Sequence, residues 1–365
     1  MTKFSSMIFA ETPVSLSAKK QAAARDNLLD VAKGLAIILV VLGHTYQGQT
    51  EEFDELAGFR TIYAFHMPLF AFLAGAAAIY WIDKFDANLT MVDAASACCR
   101  RIGRSAVCLL LPFLSWTAIN YLMGRAEGSL WNYAVNVFQH TDVSLWFLPC
   151  IFWCTVYVAL YLLLATAIGL STKNTRLETY VARLRPMPVQ MVLLILLWSI
   201  LKGKLPSQFG LIFANGFHGG LFLFFAIGIA SYRNFIGVRK LWLRAIPYLV
   251  FLSLVPFWHR TLPSNLVTDA PWVLSLHLVA KNYAFIVAIS GTLAAVDIAR
   301  TITALKLRVL NAFFGYLGSI SLAIYAIHFY MLAYWPPLIA PIAYSAAVSF
   351  LVSQLPGVRI ALLGK

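Results

Sequence analysis

A lysine and a histidine stand eleven residues apart in one apolar run, DVAKGLAIILVVLGH, as Lys33 and His44. Eleven residues make close to three turns of an α-helix, so the two side chains share a face about 16 Å apart along the axis. A cation there can meet an anionic group, and the imidazole can take a proton near neutral pH. The plainer alternative is a snorkelling lysine and an interfacial histidine. His66, in YAFHMPLFAFLAG, is the expected partner of His44 across a short acidic loop. His328 ends SISLAIYAIH, where Ser321, Tyr325 and His328 fall at i, i+4 and i+7 on one helical face. Such a face serves an interhelical hydrogen-bond seam as well as an acceptor site. His44, His66 and His328 are the candidate catalytic groups.

Arg100, Arg101 and Arg104 crowd CCRRIGRSAVCLLLPF just before the third apolar run. Guanidinium forks match phosphate oxygens, and the topological alternative is a loop held inside by its charge. Trp146 is the second residue of LWFLPCIFW, which taken alone is an interfacial aromatic belt. His140 and His259 read as loop residues, and His218 and His277 as interfacial ones. The five cysteines, Cys98, Cys99, Cys108, Cys150 and Cys154, form neither a disulfide frame nor a metal-ligand spacing, so no metal is expected.

These groups must be positioned by membrane helices. Of the 365 residues 61% are apolar and 12% charged, against roughly 25% charged in a soluble domain. That leaves too little polar surface to clothe a soluble fold, and it excludes soluble-enzyme, disordered and secreted disulfide classes. The chain reads as all-α and integral to the membrane. Ten apolar runs are visible, near 31–48, 60–81, 104–123, 145–170, 188–203, 212–231, 242–258, 274–296, 310–333 and 338–355. The first begins after a polar stretch without a small-residue cleavage site and reads as a retained helix. Pro68 and Pro112 would kink their helices and open space between them.

The net charge of +13 could mark a nucleic-acid partner, but a membrane chain explains it through basic inner loops. With both termini cytoplasmic, all but six of the 28 basic residues (Arg60, Arg125, Lys202, Lys204, Arg260 and Lys281) lie in inner segments. The expected organisation is a polar cytoplasmic segment 1–27, a transmembrane domain 28–357 and a cytoplasmic tail 358–365. No internal repeat is evident.

DVAKGLAIILVVLGH, FHMPLFAFLAG, RRIGR with LLLPF, LWFLP and SLAIYAIH follow one another over about residues 28–330. In that order they resemble the motifs of the acyltransferase-3 family, multispan membrane O-acyltransferases that act on sugars of surface polysaccharides, Nod factors and antibiotics. Within it the chain is most similar to the fucose-4-O-acetylase-like branch, in particular to xanthan exopolysaccharide acetyltransferases. The resemblance implies acetyl-CoA as donor and a sugar hydroxyl as acceptor, here mannose of a lipid-linked repeat unit in a bacterial inner membrane. It implies no permanently bound cofactor, and membrane lipid as the surrounding partner. Lys33, Arg100, Arg101 and Arg104 would then meet the donor's phosphates. His44 would be the base, and Trp146, Ser321 and Tyr325 would face the acceptor. Lys33 occupies a place that is most often Arg in the family, and Ala74 a place that is usually Ser. Of another class, a secondary transporter or glycan flippase also puts charge inside the membrane, and it predicts inverted repeats. A membrane scaffold would leave the Lys33–His44 phasing to chance.

Overall fold

The computed structural model describes residues 26–83, 85, 89–124, 128–133, 145–173, 175, 187–204, 220–260, 271–334, 336–337 and 339–364. Every regular element among them is helical.

The first helix, α1 (Asn27–Gln47), carries both Lys33 and His44. Asp26 caps it: its Oδ1 accepts from the Leu28 and Leu29 amides at 3.0 and 3.2 Å. The other carboxylate oxygen accepts from the Tyr80 hydroxyl at 2.6 Å and the Tyr232 hydroxyl at 3.0 Å. Next come α2 (Ala57–Tyr63) and α3 (His66–Ile82), parted at Ala64 and Phe65. Pro68 explains the break, because a proline ring collides with the carbonyl four residues back, here that of Ala64. Pro112 acts in the same way but yields a different result. Between α4 (Met91–Ser105) and α5 (Leu111–Leu122) the backbone widens into a π-helical stretch, Ala106–Leu110. That stretch contains Cys108, the residue four before Pro112, so the wider turn absorbs the clash without ending the helix.

The third run therefore starts earlier than its hydropathy suggests. Thr90 caps α4, its hydroxyl accepting from the Asp93 amide at 3.2 Å. The three arginines consequently lie on the continuous helix Met91–Leu122 and not on a loop before it.

The chain continues through α6 (Phe147–Thr172), α7 (Met187–Lys204), α8 (Leu221–Gly237), α9 (Leu241–Leu254) and α10 (Pro271–Ala304). Then follow α11 (Arg308–Ser319), α12 (Ser321–Ile327), α13 (Ile339–Ser353) and α14 (Pro356–Leu363). The ninth apolar run is not straight: α11 and the segment Ser321–Tyr330 meet at 61°. Ile320, with φ −111° and ψ 12°, leaves the helical region at that corner.

Among the described residues five helices are long and apolar enough to cross a membrane, or six if the bent pair forms one span. Four further apolar helices are shorter, at 10–17 residues. Large apolar side chains such as Leu122, Leu241, Leu249 and Leu351 stand outward. A soluble surface could not hold so many; they suit lipid.

Two helix pairs approach closely through glycine. Gly34 and Gly318 let α1 and α11 touch backbone to backbone, and Gly75 and Gly228 do so for α3 and α8. A methyl group at any of the four would fall within about 2 Å of a carbonyl oxygen on the partner helix. An ion pair joins α9 to α10: Arg244 donates to the two oxygens of Asp297 at 2.7 and 3.0 Å, and Tyr248 adds a bond at 3.1 Å. The C-terminal helix α14 docks on α5, where the Trp116 indole donates to the Leu362 carbonyl at 3.0 Å. None of the five cysteines is in a disulfide.

Candidate active site

A cavity of about 350 Å³ opens between α1, α3, the Met91–Leu122 helix, α6 and the α11–α12 corner. One part of its wall carries charge: Asp30 and Lys33 from α1, Arg101 and Arg104 from α4. The rest is largely apolar, with Met67, Phe70, Leu73 and Ala74 from α3 and Phe147, Leu148 and Ile151 from α6. Ser321 and Tyr325 complete it from the corner. The Arg101 guanidinium lies 5.5 Å from the centre of the Trp81 ring, and its Nε is buried with no hydrogen-bond partner among the described residues. Ala74 gives the wall no hydroxyl.

The structure sorts the sequence candidates. Lys33, Arg101 and Arg104 share the chamber with Ser321 and Tyr325. Arg100 does not line it: its side chain is exposed and donates to Ser96 one turn back on the same helix. Trp146 is half-buried outside the chamber wall, its ring 6.0 Å from that of Phe147, which does line it. Ser321 spends its hydroxyl on the Gly318 carbonyl at 2.9 Å.

The three candidate histidines cluster beyond Tyr325, whose ring lies 6.0 Å from that of His328. The rings of His328 and His44 are 5.2 Å apart. Tyr63 links the group to His66, the two rings lying 4.5 Å apart. His66 Nδ1 is 3.0 Å from the Ile62 carbonyl, and His328 Nδ1 is 2.9 and 3.1 Å from the Tyr325 and Ile324 carbonyls. A carbonyl only accepts, so in both rings Nδ1 carries the proton, and in the neutral imidazole Nε2 keeps its lone pair. His44 Nδ1 lies 2.7 Å from Gln47 Oε1 and 3.4 Å from the Tyr63 hydroxyl. With the amide oxygen as acceptor, His44 holds the same tautomer.

Three imidazoles with fixed Nδ1 protons offer Nε2 as a proton-accepting atom, the arrangement a general base needs. Gln47 and Tyr63 were not evident from sequence as members of the site. Gln47 could have been found one turn after His44, whereas Tyr63 reaches the site only through tertiary packing. His140 and His218 lie outside the described residues, as does the His277 side chain. His259 is exposed. Among the described residues no cluster of His, Cys, Asp or Glu is placed to hold a metal ion.

Comparison with known proteins bears on this geometry. Nodulation protein NolL of Sinorhizobium fredii (strain NBRC 101917 / NGR234) is 39% identical over 99 residues, 26% of this chain and 24% of that protein. Nodulation protein NolL of Mesorhizobium japonicum (strain LMG 29417 / CECT 9101 / MAFF 303099) is 34% identical over 107 residues, 28% of this chain and 26% of that protein. The chain thus aligns with about a quarter of the length of the curated relatives it matches. No solved structure matches it significantly. The Acyltransferase domain pattern of acyltransferase-3, by contrast, covers residues 26–363. That range takes in the chamber, the cationic wall and the histidine cluster together, and the chain belongs to the acyltransferase-3 family.

Proposed function

We propose that the protein is a membrane O-acetyltransferase that moves acetyl from acetyl-CoA to a sugar hydroxyl, with mannose of a lipid-linked exopolysaccharide repeat unit as the acceptor. The observation that carries this reading is the chamber, with cations at Lys33, Arg101 and Arg104 in its wall and Tyr325 leading to proton-accepting imidazoles. Coenzyme A is a polyanion with a long apolar-polar arm, and the chamber offers cations for its phosphates and a largely apolar wall for the arm. Lys33 and His44 sit on one rigid helix about 16 Å apart, a span suited to an extended arm.

His44 is the general base: it takes the proton of the sugar hydroxyl as the oxygen attacks the thioester carbonyl. Gln47 and Tyr63 hold the ring in place from its Nδ1 side. Ten crossings with both ends cytoplasmic, in a bacterial inner membrane, fit the distribution of basic residues.

Mass spectrometry of the exopolysaccharide with and without the gene tests the reading, with His44→Ala as the third arm. The expected result is loss of one acetyl per repeat in both the deletion and the variant, while the variant accumulates normally in the membrane. Unchanged acetylation in the deletion would overturn the function, and unchanged acetylation in His44→Ala would remove that residue from the mechanism.

A further inference from the structure

Buried polar atoms almost always have a partner, so an orphan needs a reason. His328 is fully buried, and its Nε2 meets no partner among the described residues. Its Nδ1 proton is held by the Ile324 and Tyr325 carbonyls, where α12 passes into the tighter winding of His328–Tyr330. The lone pair on Nε2 is therefore fixed on the part of the ring turned away from its own backbone anchors. The Phe329 ring packs at 4.1 Å from the His328 ring and at 4.5 Å from that of His44. An acceptor so enclosed is poorly placed to touch a sugar. It is well placed to act on the neighbouring imidazole of His44, 5.2 Å away between ring centres.

We propose that His328 is a positioning residue for acyl transfer: its Nε2 lone pair awaits the positive charge that His44 acquires on taking the acceptor's proton. The inference rests on the acetyl-transfer reading above. In that step the hydroxyl O–H bond breaks and the proton passes to His44, while the oxygen bonds to the thioester carbonyl carbon. The carbon–sulfur bond then breaks, its electron pair leaves on sulfur, and His44 returns the proton to give the free thiol. His328 neither gains nor loses a proton. Its contact with His44 strengthens only while the imidazolium exists, so its effect belongs in kcat and not in substrate binding.

Two isosteres separate this role from a structural one. In His328→Asn the amide nitrogen replaces Nδ1 as donor to the carbonyls, and nothing stands where Nε2 was. In His328→Gln the amide oxygen reaches the Nε2 position. The full-length protein in detergent is assayed with acetyl-CoA as donor and octyl α-mannoside as acceptor probe, with acetyl-CoA binding measured in parallel. His328→Asn should lower kcat about 10- to 100-fold with both KM values little changed, and His328→Gln should recover most of the loss. Wild-type kcat in His328→Asn, equal impairment of the two variants, or a loss confined to acceptor KM would each overturn the proposal. If His328→Asn fails to accumulate, His328→Gln decides alone, and a large fall in its kcat with intact acetyl-CoA binding counts against the role. Wild type that leaves acetyl-CoA unused would instead sink the functional reading, and this inference with it.

Discussion

A methyl group at position 318 would stand 1.8 Å from the Asp30 carbonyl oxygen and 3.0 Å from the Gly34 amide nitrogen. Ordinary contact begins near 3.4 Å, so α11 would have to back away from α1 by roughly 1.5 Å. Both obstructing atoms are backbone, which cannot swing aside as a side chain can. Overpacking of this kind costs about 1–3 kcal/mol. The displacement also falls on the chamber, because Asp30 and Lys33 line it from α1 while Gly318 and Ser319 line it from α11. Misplacing reacting groups by about 1 Å can cost about 100-fold in rate. Gly318→Ala should therefore lower acetyl transfer by that order and reduce the thermal midpoint in detergent. Gly315→Ala is the control on the same helix, since a methyl there meets only the Asn27 side chain at 3.5 Å. Equal rates and equal midpoints for the two variants would refute the view that the α1–α11 contact sets the chamber.

The other expectations concern charge. Lys33→Ala should weaken acetyl-CoA binding by roughly 10- to 150-fold, the worth of one charge-assisted contact, and Lys33→Arg should retain it; titration of purified protein reads both. Arg101→Gln should raise the donor KM at least tenfold, whereas Arg100→Gln, at an exposed side chain outside the chamber, should leave it within about twofold. Asp297→Ala takes the carboxylate from Arg244, which is partly exposed and keeps its bond to Thr301, and should cost about 1.5–3 kcal/mol of stability, seen as a lower unfolding midpoint, with donor KM unchanged in the protein that remains folded.

Local sequence revealed what depends on local geometry. The Lys33–His44 phasing follows from eleven residues of uninterrupted helix, and α1 supplies it. Both proline effects appear four residues upstream, as ring–carbonyl sterics dictate, yet one helix breaks and the other widens, a choice set by packing. The corner at Ile320 has no proline to announce it. Nor could sequence rank the arginines, because Arg100 and Arg101 are neighbours whose directions differ by about 100° around the helix. Only the position of α6 and α1 decides which of them enters the chamber. Tyr63 and the orphaned Nε2 of His328 were likewise out of reach, since each is defined by what another helix does. Where the apolar runs fall on described residues they are largely helical, but several of those helices are short, and hydropathy alone assigns no crossing to each.

The Asp26 cap has a consequence for how the protein is made. The helix it starts leaves the ribosome before its partners, carrying Lys33, and one oxygen of its carboxylate is complete only when Tyr232 arrives, 206 residues later. The glycine contact with α11 comes later still. Until then α1 has its early neighbours α2 and α3 but not its most extensive one, α11, and its charge is sheltered by water, lipid headgroups or the insertion machinery. Nascent chains arrested before α11 should hold α1 loosely, and a cysteine placed beside Lys33 should lose its reactivity toward a water-soluble thiol reagent once α11 has been added.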